Sequence, residues 1–250
     1  MKAPELKLCG LAAVRARFAH DARSIQRLYF DYATGRKVGV MCKALAGAKK
    51  IYRCVEPVEL EKIAGTVHHG GIVAVVTAPK LRAPLAADLR AWVAARAPVL
   101  LLDRIGNAHN LGAIARTAGF FGVSRIVLPN DPAAALPGEA AYRVAEGALE
   151  SVEVFRVPSL VVLARDLAVA GYEVVGAATR GGRPELAVRR GPDAKPVALA
   201  LGNEEHGLAP ALLSACTRVV TIPGSGGVES LNVSVAAAVL MWELFARRTK

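Results

Sequence analysis

Cysteine is scarce in this chain. Its 250 residues hold four, Cys9, Cys42, Cys54 and Cys216, and no two stand in a Cys-x-x-Cys spacing. That argues against a disulfide framework and against a structural zinc site. Cys54 and Cys216 lie in apolar, strand-like contexts and read as core or near-core thiols of a reducing compartment. His109 and the pair His68-His69 lack partners at ligand spacing, so no metal is assigned. No apolar run approaches the length of a membrane span, and no apolar signal segment with a cleavage site opens the chain. A cytoplasmic protein with no membrane partner is therefore expected. Gly-x-Gly-x-x-Gly and Gly-x-x-x-x-Gly-Lys-Ser/Thr are both missing, which removes support for a dinucleotide or P-loop site. No Ser/His/Asp or Cys/His set follows from spacing. Repeats and low-complexity tails are absent too.

Acidic residues are also few, 21 Asp/Glu against 32 Lys/Arg, for a net charge of +11. The imbalance sits at the front: residues 1–80 carry 14 Lys/Arg and 6 Asp/Glu, residues 81–250 carry 18 and 15. Such a surface serves solubility, and it also suits a polyanion such as RNA.

With 53% hydrophobic residues, the chain is expected to fold as α/β, with a large domain and a smaller one. Residues 1–77 read as a small basic α/β domain: helix 11–18, strand 25–30, helix 37–48, strand 51–55, helix 57–64 and strand 72–76. Residues 78–97, with Pro79 and Pro84 around an Ala/Arg-rich helix, read as a linker. Residues 98–250 alternate strand and helix. Strands are expected at 99–102, 125–128, 152–157, 173–178, 197–201 and 219–222, and helices at 111–121, 138–149, 159–170, 209–215 and 231–247. The strands are mostly continuous apolar runs, as in a buried parallel sheet with helices on both faces. Periodicity alone points to the right-handed, doubly wound arrangement.

Three segments of this second domain carry chemistry. The first runs from Asn107 to Gly122. Asn110 and Arg116 are six residues apart, about 240° around a helix, so they do not share a face. Asn110 reads as the helix cap. Arg116 is a lone cation among small and apolar residues, either a snorkelling surface arginine or a fork for phosphate. The second segment, Gly202-Asn203-Glu204-Glu205-His206-Gly207, follows a buried strand. Its glycines permit a tight turn and close ligand approach. Glu205 reads as solvated charge, and His206 as a local hydrogen-bonding residue. The third is Ile222-Pro223, a glycine-rich loop, and then Ser230-Leu231-Asn232-Val233-Ser234 at a helix mouth, where open α/β sheets bind ligands.

In order and spacing these segments resemble the SpoU-type (TrmH-like) branch of the SPOUT RNA 2′-O-methyltransferases. Asn110, Gly112, Arg116 and Ala118 match N-x-G-x-x-x-R-x-A. Gly202, Glu204 and Gly207 match G-x-E-x-x-G. Ile222-Pro223 with Ser230 to Ser234 and Ala236 match the third motif. The likeness covers about residues 98–247. Residues His69 to Ile72 resemble the close of the small substrate-binding domain that precedes some of these enzymes.

The resemblance implies a deep trefoil knot, a homodimer with residues of both subunits near each site, and S-adenosylmethionine as cofactor. Thr179, Gly202, Asn203, Ile222 and Leu231 would hold that cofactor. Central roles would fall to Asn110, Arg116, Glu204, Ser230 and Asn232 in moving a methyl group to a ribose 2′-hydroxyl. A sulfonium is already an activated donor, so the chemistry asks for orientation and a proton acceptor, not a metal. Arginine is essentially never neutral, so Arg116 is expected to clamp phosphate and hydroxyl, with the base left open. The basic first domain favours a structured target, ribosomal RNA over transfer RNA. The competing readings are a non-catalytic RNA-binding or ribosome-assembly protein on the same scaffold, and a nucleotide-dependent dehydrogenase, which lacks its glycine fingerprint.

Overall fold

A computed structural model describes residues 4–183 and 194–245. The ends of the expected domains, 1–3 and 246–250, and the last two residues of the expected helix 231–247 lie outside the described residues.

The first 77 residues build a four-stranded sheet. β1 (Glu5–Cys9) and β2 (Ile25–Phe30) flank β4 (Ile72–Thr77) antiparallel, and β3 (Ile51–Cys54) lies parallel to β2 at the edge. Helices α1 (Leu11–Asp21), α2 (Tyr32–Gly35), α3 (Gly39–Gly47) and α4 (Pro57–Ala64) connect the strands. β1 was not expected, although Leu6 and Leu8 alternate with Glu5 and Lys7 in the two-residue period of a half-buried strand. The reading of Cys54 as a near-core thiol is corrected: all four residues of β3 are exposed, on an edge strand whose outer side no described strand covers.

Past the linker and α5 (Ala86–Ala94), six parallel strands form the second sheet in the order β10-β8-β9-β5-β6-β7. They are β5 (Val99–Asp103), β6 (Arg125–Pro129), β7 (Glu153–Val157), β8 (Glu173–Ala177), β9 (Val197–Gly202) and β10 (Arg218–Val220). The apolar runs of β5, β6, β8 and β9 are buried on both faces. In β5, Leu100 and Leu102 pack with α6 (Ala108–Phe120), α7 (Glu139–Ala145) and α10 (Val233–Phe245), while Val99 and Leu101 pack with α5, α8 (Leu160–Val169) and α9 (Pro210–Ala215). The doubly wound order is corrected in one respect. There, the fourth strand lies beside the first; here β9, the fifth, takes that place and β8 lies outside it. The β9 run Val-Ala-Leu-Ala-Leu is fully buried, as a central strand requires. The expected helix 138–149 ends at Ala145, where Glu146 and Gly147 both turn left-handed.

The two sheets share one buried cluster, from Leu8 and Ile25 through Tyr142 and Leu149 to Leu100 and Met241. At the junction Arg17 meets Glu150 at 2.9 Å and donates to the Tyr142 hydroxyl at 3.3 Å. A Cβ on Gly147 would stand 2.7 Å from the Ala16 methyl, so α1 can close on this corner only over a glycine.

Candidate functional site

All six strands of the second sheet run the same way, so the loops after β8, β9 and β10 emerge at one end. They frame a cleft with about 720 Å³ of space, open solvent included. Thr179, Gly202, Asn203, Ile222 and Leu231, the five residues expected around the cofactor, all line it, as do Glu204 and Ser230.

Backbone wiring shapes the cleft wall. Asn203 and Gly207 exchange both main-chain hydrogen bonds, at 3.2 and 2.8 Å. The Asn203 side chain accepts from the backbone N–H groups of Glu205 and His206 and donates to the Arg104 carbonyl at 3.0 Å. A Cβ on Gly202 would fall 2.1 Å from the Gly207 carbonyl carbon, so this crossing admits only glycine. Behind it, buried Asp103 accepts from the Ala209 N–H at 2.7 Å and from Arg104 at 3.0 Å. Asp103 and Arg104 were missed from sequence; a lone acid closing the apolar run of β5 was the available signal.

At the cleft mouth a directed chain of hydrogen bonds joins all three segments. Asn232 stands just before α10, and its Oδ1 accepts from the Ser234 N–H at 2.9 Å and the Ser234 hydroxyl at 2.6 Å. A backbone N–H can only donate, so it fixes which end of the Asn232 amide faces it. The Asn232 Nδ2 then donates to Asn110 Oδ1 at 3.2 Å, and the Asn110 Nδ2 donates to Glu204 Oε1. Every donor points toward the Glu204 carboxylate.

The reading of Asn110 as the helix cap is corrected. Asn107 caps α6, its side chain accepting from the His109 N–H at 2.7 Å. Asn110 sits one position short of a full turn further in, free to reach Glu204 and Asn232. Gly112 serves helix packing: a Cβ there would meet the Ala141 carbonyl oxygen at 2.5 Å, so α6 and α7 approach closely.

Arg116 is not among the cleft's lining residues. It pairs with Glu146 at 3.0 Å, both side chains more than half exposed. Nearby, Phe120 is 84% exposed, and Phe121 stacks obliquely on Trp242, itself half exposed. The structure therefore joins Asn110, Glu204 and Asn232, places Ser230 beside them, and leaves Arg116 outside this chain's cleft. No cluster of three or more His, Cys, Asp or Glu side chains able to hold a metal occurs among the described residues.

The chain matches the SpoU rRNA Methylase family over residues 97–242 and the RNA 2′-O ribose methyltransferase substrate binding family over residues 7–82. A 23S rRNA (guanosine-2′-O-)-methyltransferase RlmB from Ralstonia nicotianae is 35% identical, the alignment covering 97% of this chain and 96% of that protein. RlmB of Nitrosomonas europaea is 34% identical, with 96% and 91% covered. Among solved structures, the SpoU methyltransferase AviRb from Streptomyces viridochromogenes, in complex with AdoMet, superposes with a TM-score of 0.70 at 25% identity, covering 96% of this chain and 88% of that one.

Proposed function

The chain belongs to the SpoU rRNA methylase family, and on that premise we propose that it transfers a methyl group from S-adenosylmethionine to a ribose 2′-hydroxyl of RNA, with large-subunit ribosomal RNA as the substrate. The observation that carries the reading is the hydrogen-bonded chain Ser234–Asn232–Asn110–Glu204 at the mouth of a glycine-shaped cleft. The RlmB relatives direct it to 23S rRNA.

The cleft suits the cofactor chemically. Leu201, Val220, Val233 and Leu240 offer an apolar wall, Gly202 lets the Gly207 backbone close the loop that shapes the cleft, and Glu204 and Glu229 place negative charge near a cationic ligand. When bound, S-adenosylmethionine supplies a methyl already activated by its sulfonium. Thr179, Gly202, Asn203, Ile222 and Leu231 bind it. Asn110, Asn232 and Glu204 hold one another rigid, so that the polar groups at the mouth are oriented before the RNA arrives. Ser230 lines the same mouth and positions the ribose.

Arg116 clamps phosphate and hydroxyl across a homodimer interface. Support comes from its place outside its own cleft and from the unpartnered apolar surface beside it, with Val235, Val239 and Trp242 exposed at i, i+4 and i+7 along α10 next to Phe120. The insertion of β9 between β5 and β8, with β10 returning outside β8, supports the trefoil knot. Residues 1–77 are the RNA-binding domain, residues 78–97 the linker and residues 98–250 the catalytic domain, and the protein works in the cytoplasm.

The test is methyl transfer from labelled S-adenosylmethionine to a 23S rRNA transcript, with the 2′-O-methyl positions mapped against rRNA from a deletion strain. A site that is methylated by the protein and unmethylated in the deletion strain supports the reading. Cofactor and RNA binding without transfer would instead favour a binding protein on the same scaffold.

A further inference from the structure

A second groove lies at the same end of the six-stranded sheet, away from the cleft. The linker runs along the free edge of β7, the Arg156 N–H donating to the Arg82 carbonyl at 2.9 Å. Phe155 and Val157 of β7 enter the core on one face, so Arg156 projects to the other. There it meets Lys80 and Arg82 of the linker, Asn130 just past β6 and Pro158 just past β7. Among the described residues, no acidic residue lines this groove. Arg82 is neutralised elsewhere, by Asp88 and by Glu153 at 3.0 Å. Lys80 is exposed, and the Arg156 Nε is buried with no hydrogen-bond partner among the described residues. A buried donor of this kind is costly unless a partner meets it. The groove on the linker's other side differs, for there Glu150 and Glu153 answer Arg17 and Arg82.

Resting on the reading of the protein as an RNA methyltransferase, we propose that Arg156, Lys80 and Asn130 form a phosphodiester-binding site for the substrate RNA, outside the methyl-transfer cleft. An arginine fork with a neighbouring lysine and amide matches a phosphate's several acceptor oxygens. In the strand order, this groove at β6 and β7 lies three strand spacings from the cleft at β8 and β9, about 14 Å. That is the length of roughly four stacked nucleotides of one strand, so RNA held here stays in register with a ribose at the cleft.

The experiment measures binding of a 23S rRNA transcript to the full-length protein at several salt concentrations, for wild type, Lys80→Ala, Arg156→Gln and the double variant. The double variant is expected to bind about tenfold more weakly, with the log–log salt slope reduced by roughly one to two. Cofactor affinity by calorimetry should stay unchanged. Lys80 is exposed, so Lys80→Ala keeps the test valid if Arg156→Gln fails to fold. Variants that match wild type in affinity and slope, while wild type methylates the RNA, overturn the groove alone; a wild type that does not methylate RNA overturns the functional reading instead. In a second arm, inorganic phosphate is titrated against the same variants. If phosphate binding depends on Arg156 while RNA affinity does not, the groove serves free phosphate and the RNA assignment falls.

Discussion

Two arginine–glutamate pairs flank one glycine corner and share nearly the same geometry, yet they sit in opposite environments. Arg17–Glu150 spans 2.9 Å with both side chains under a tenth exposed, while Arg116–Glu146 spans 3.0 Å with both more than half exposed. Gly147 lies between the two glutamates. The buried pair joins α1, beside the four-stranded sheet, to the turn that precedes β7 of the six-stranded sheet, with Tyr142 as a third member. In the exposed pair water competes with each contact, so Arg116 can leave Glu146 for another anion at little cost. Ion-pair distance alone does not tell a weld from a reserve; burial does.

The sharpest break of this comparison is Arg17→Ala. Removing one partner leaves a buried carboxyl uncompensated, which costs about 3–5 kcal/mol. Chemical denaturation read by circular dichroism should show this loss, and should show far less for a double variant that replaces both partners with apolar residues. A single-variant loss under ~1 kcal/mol would place Arg17–Glu150 in the same class as the surface pair.

The second is Arg116→Ala. The exposed pair contributes at most ~1 kcal/mol to stability, so the melt should barely move. Methyl transfer should drop roughly 100-fold or more, as for other positioned charged groups. Arg116→Lys should rescue poorly, because an ammonium cannot reproduce the fork. Single-turnover methylation decides it. Near-normal turnover in Arg116→Ala would mean that the arginine is an ordinary surface residue.

The same contrast explains what the sequence made legible. Apolar runs such as Val99–Leu102 and Val197–Leu201 announce buried parallel strands through composition alone, and Pro57 marks the start of α4 where the structure has it. Glu204, Ser230 and the five expected cofactor residues could be grouped around one cleft because a family pattern ordered them, whereas Arg116 lies outside it. Partnerships between distant segments leave no local trace. Nothing near Arg17 points to Glu150, 133 positions on. Asn107 and Asn110 are equally good caps by residue type, and only the contact with Glu204, 94 positions away, tells them apart. The strand order is of the same kind, since each strand's period says that it is buried and not which neighbours bury it.

Acidity sharpens the comparison further. Burial pushes the Glu150 carboxyl above its ordinary value of 4.5, and Arg17 pulls it back only in part. With a folded pKa above the unfolded one, the native state keeps its proton longer as pH rises. The unfolded chain then binds fewer protons within the window, so stability is fully present below about 4.5 and declines as pH rises through the elevated folded value. Melts of wild type and Glu150→Gln across this range should differ by such a decline, present only in the wild type. Equal pH dependence in the two proteins would contradict the assignment.

The smallest effect is the most direct test of burial. In 0.1 M salt the screening length is about 10 Å, and in 1 M salt about 3 Å. The two charges of Arg116–Glu146 face solvent along their whole contact, so mobile ions can reach between and around them. A double-mutant cycle should give a coupling of about 0.5 kcal/mol at low salt, shrinking toward zero at 1 M. Both side chains of Arg17–Glu150 are under a tenth exposed, so mobile ions reach them far less, and Tyr142 closes one side. The coupling of this pair should therefore be larger and nearly independent of salt. The cycle cancels changes that each variant makes to the unfolded chain on its own, which a single substitution does not. Couplings that fall in parallel for both pairs would show that salt reaches the domain junction, and that the weld opens on the timescale of the measurement.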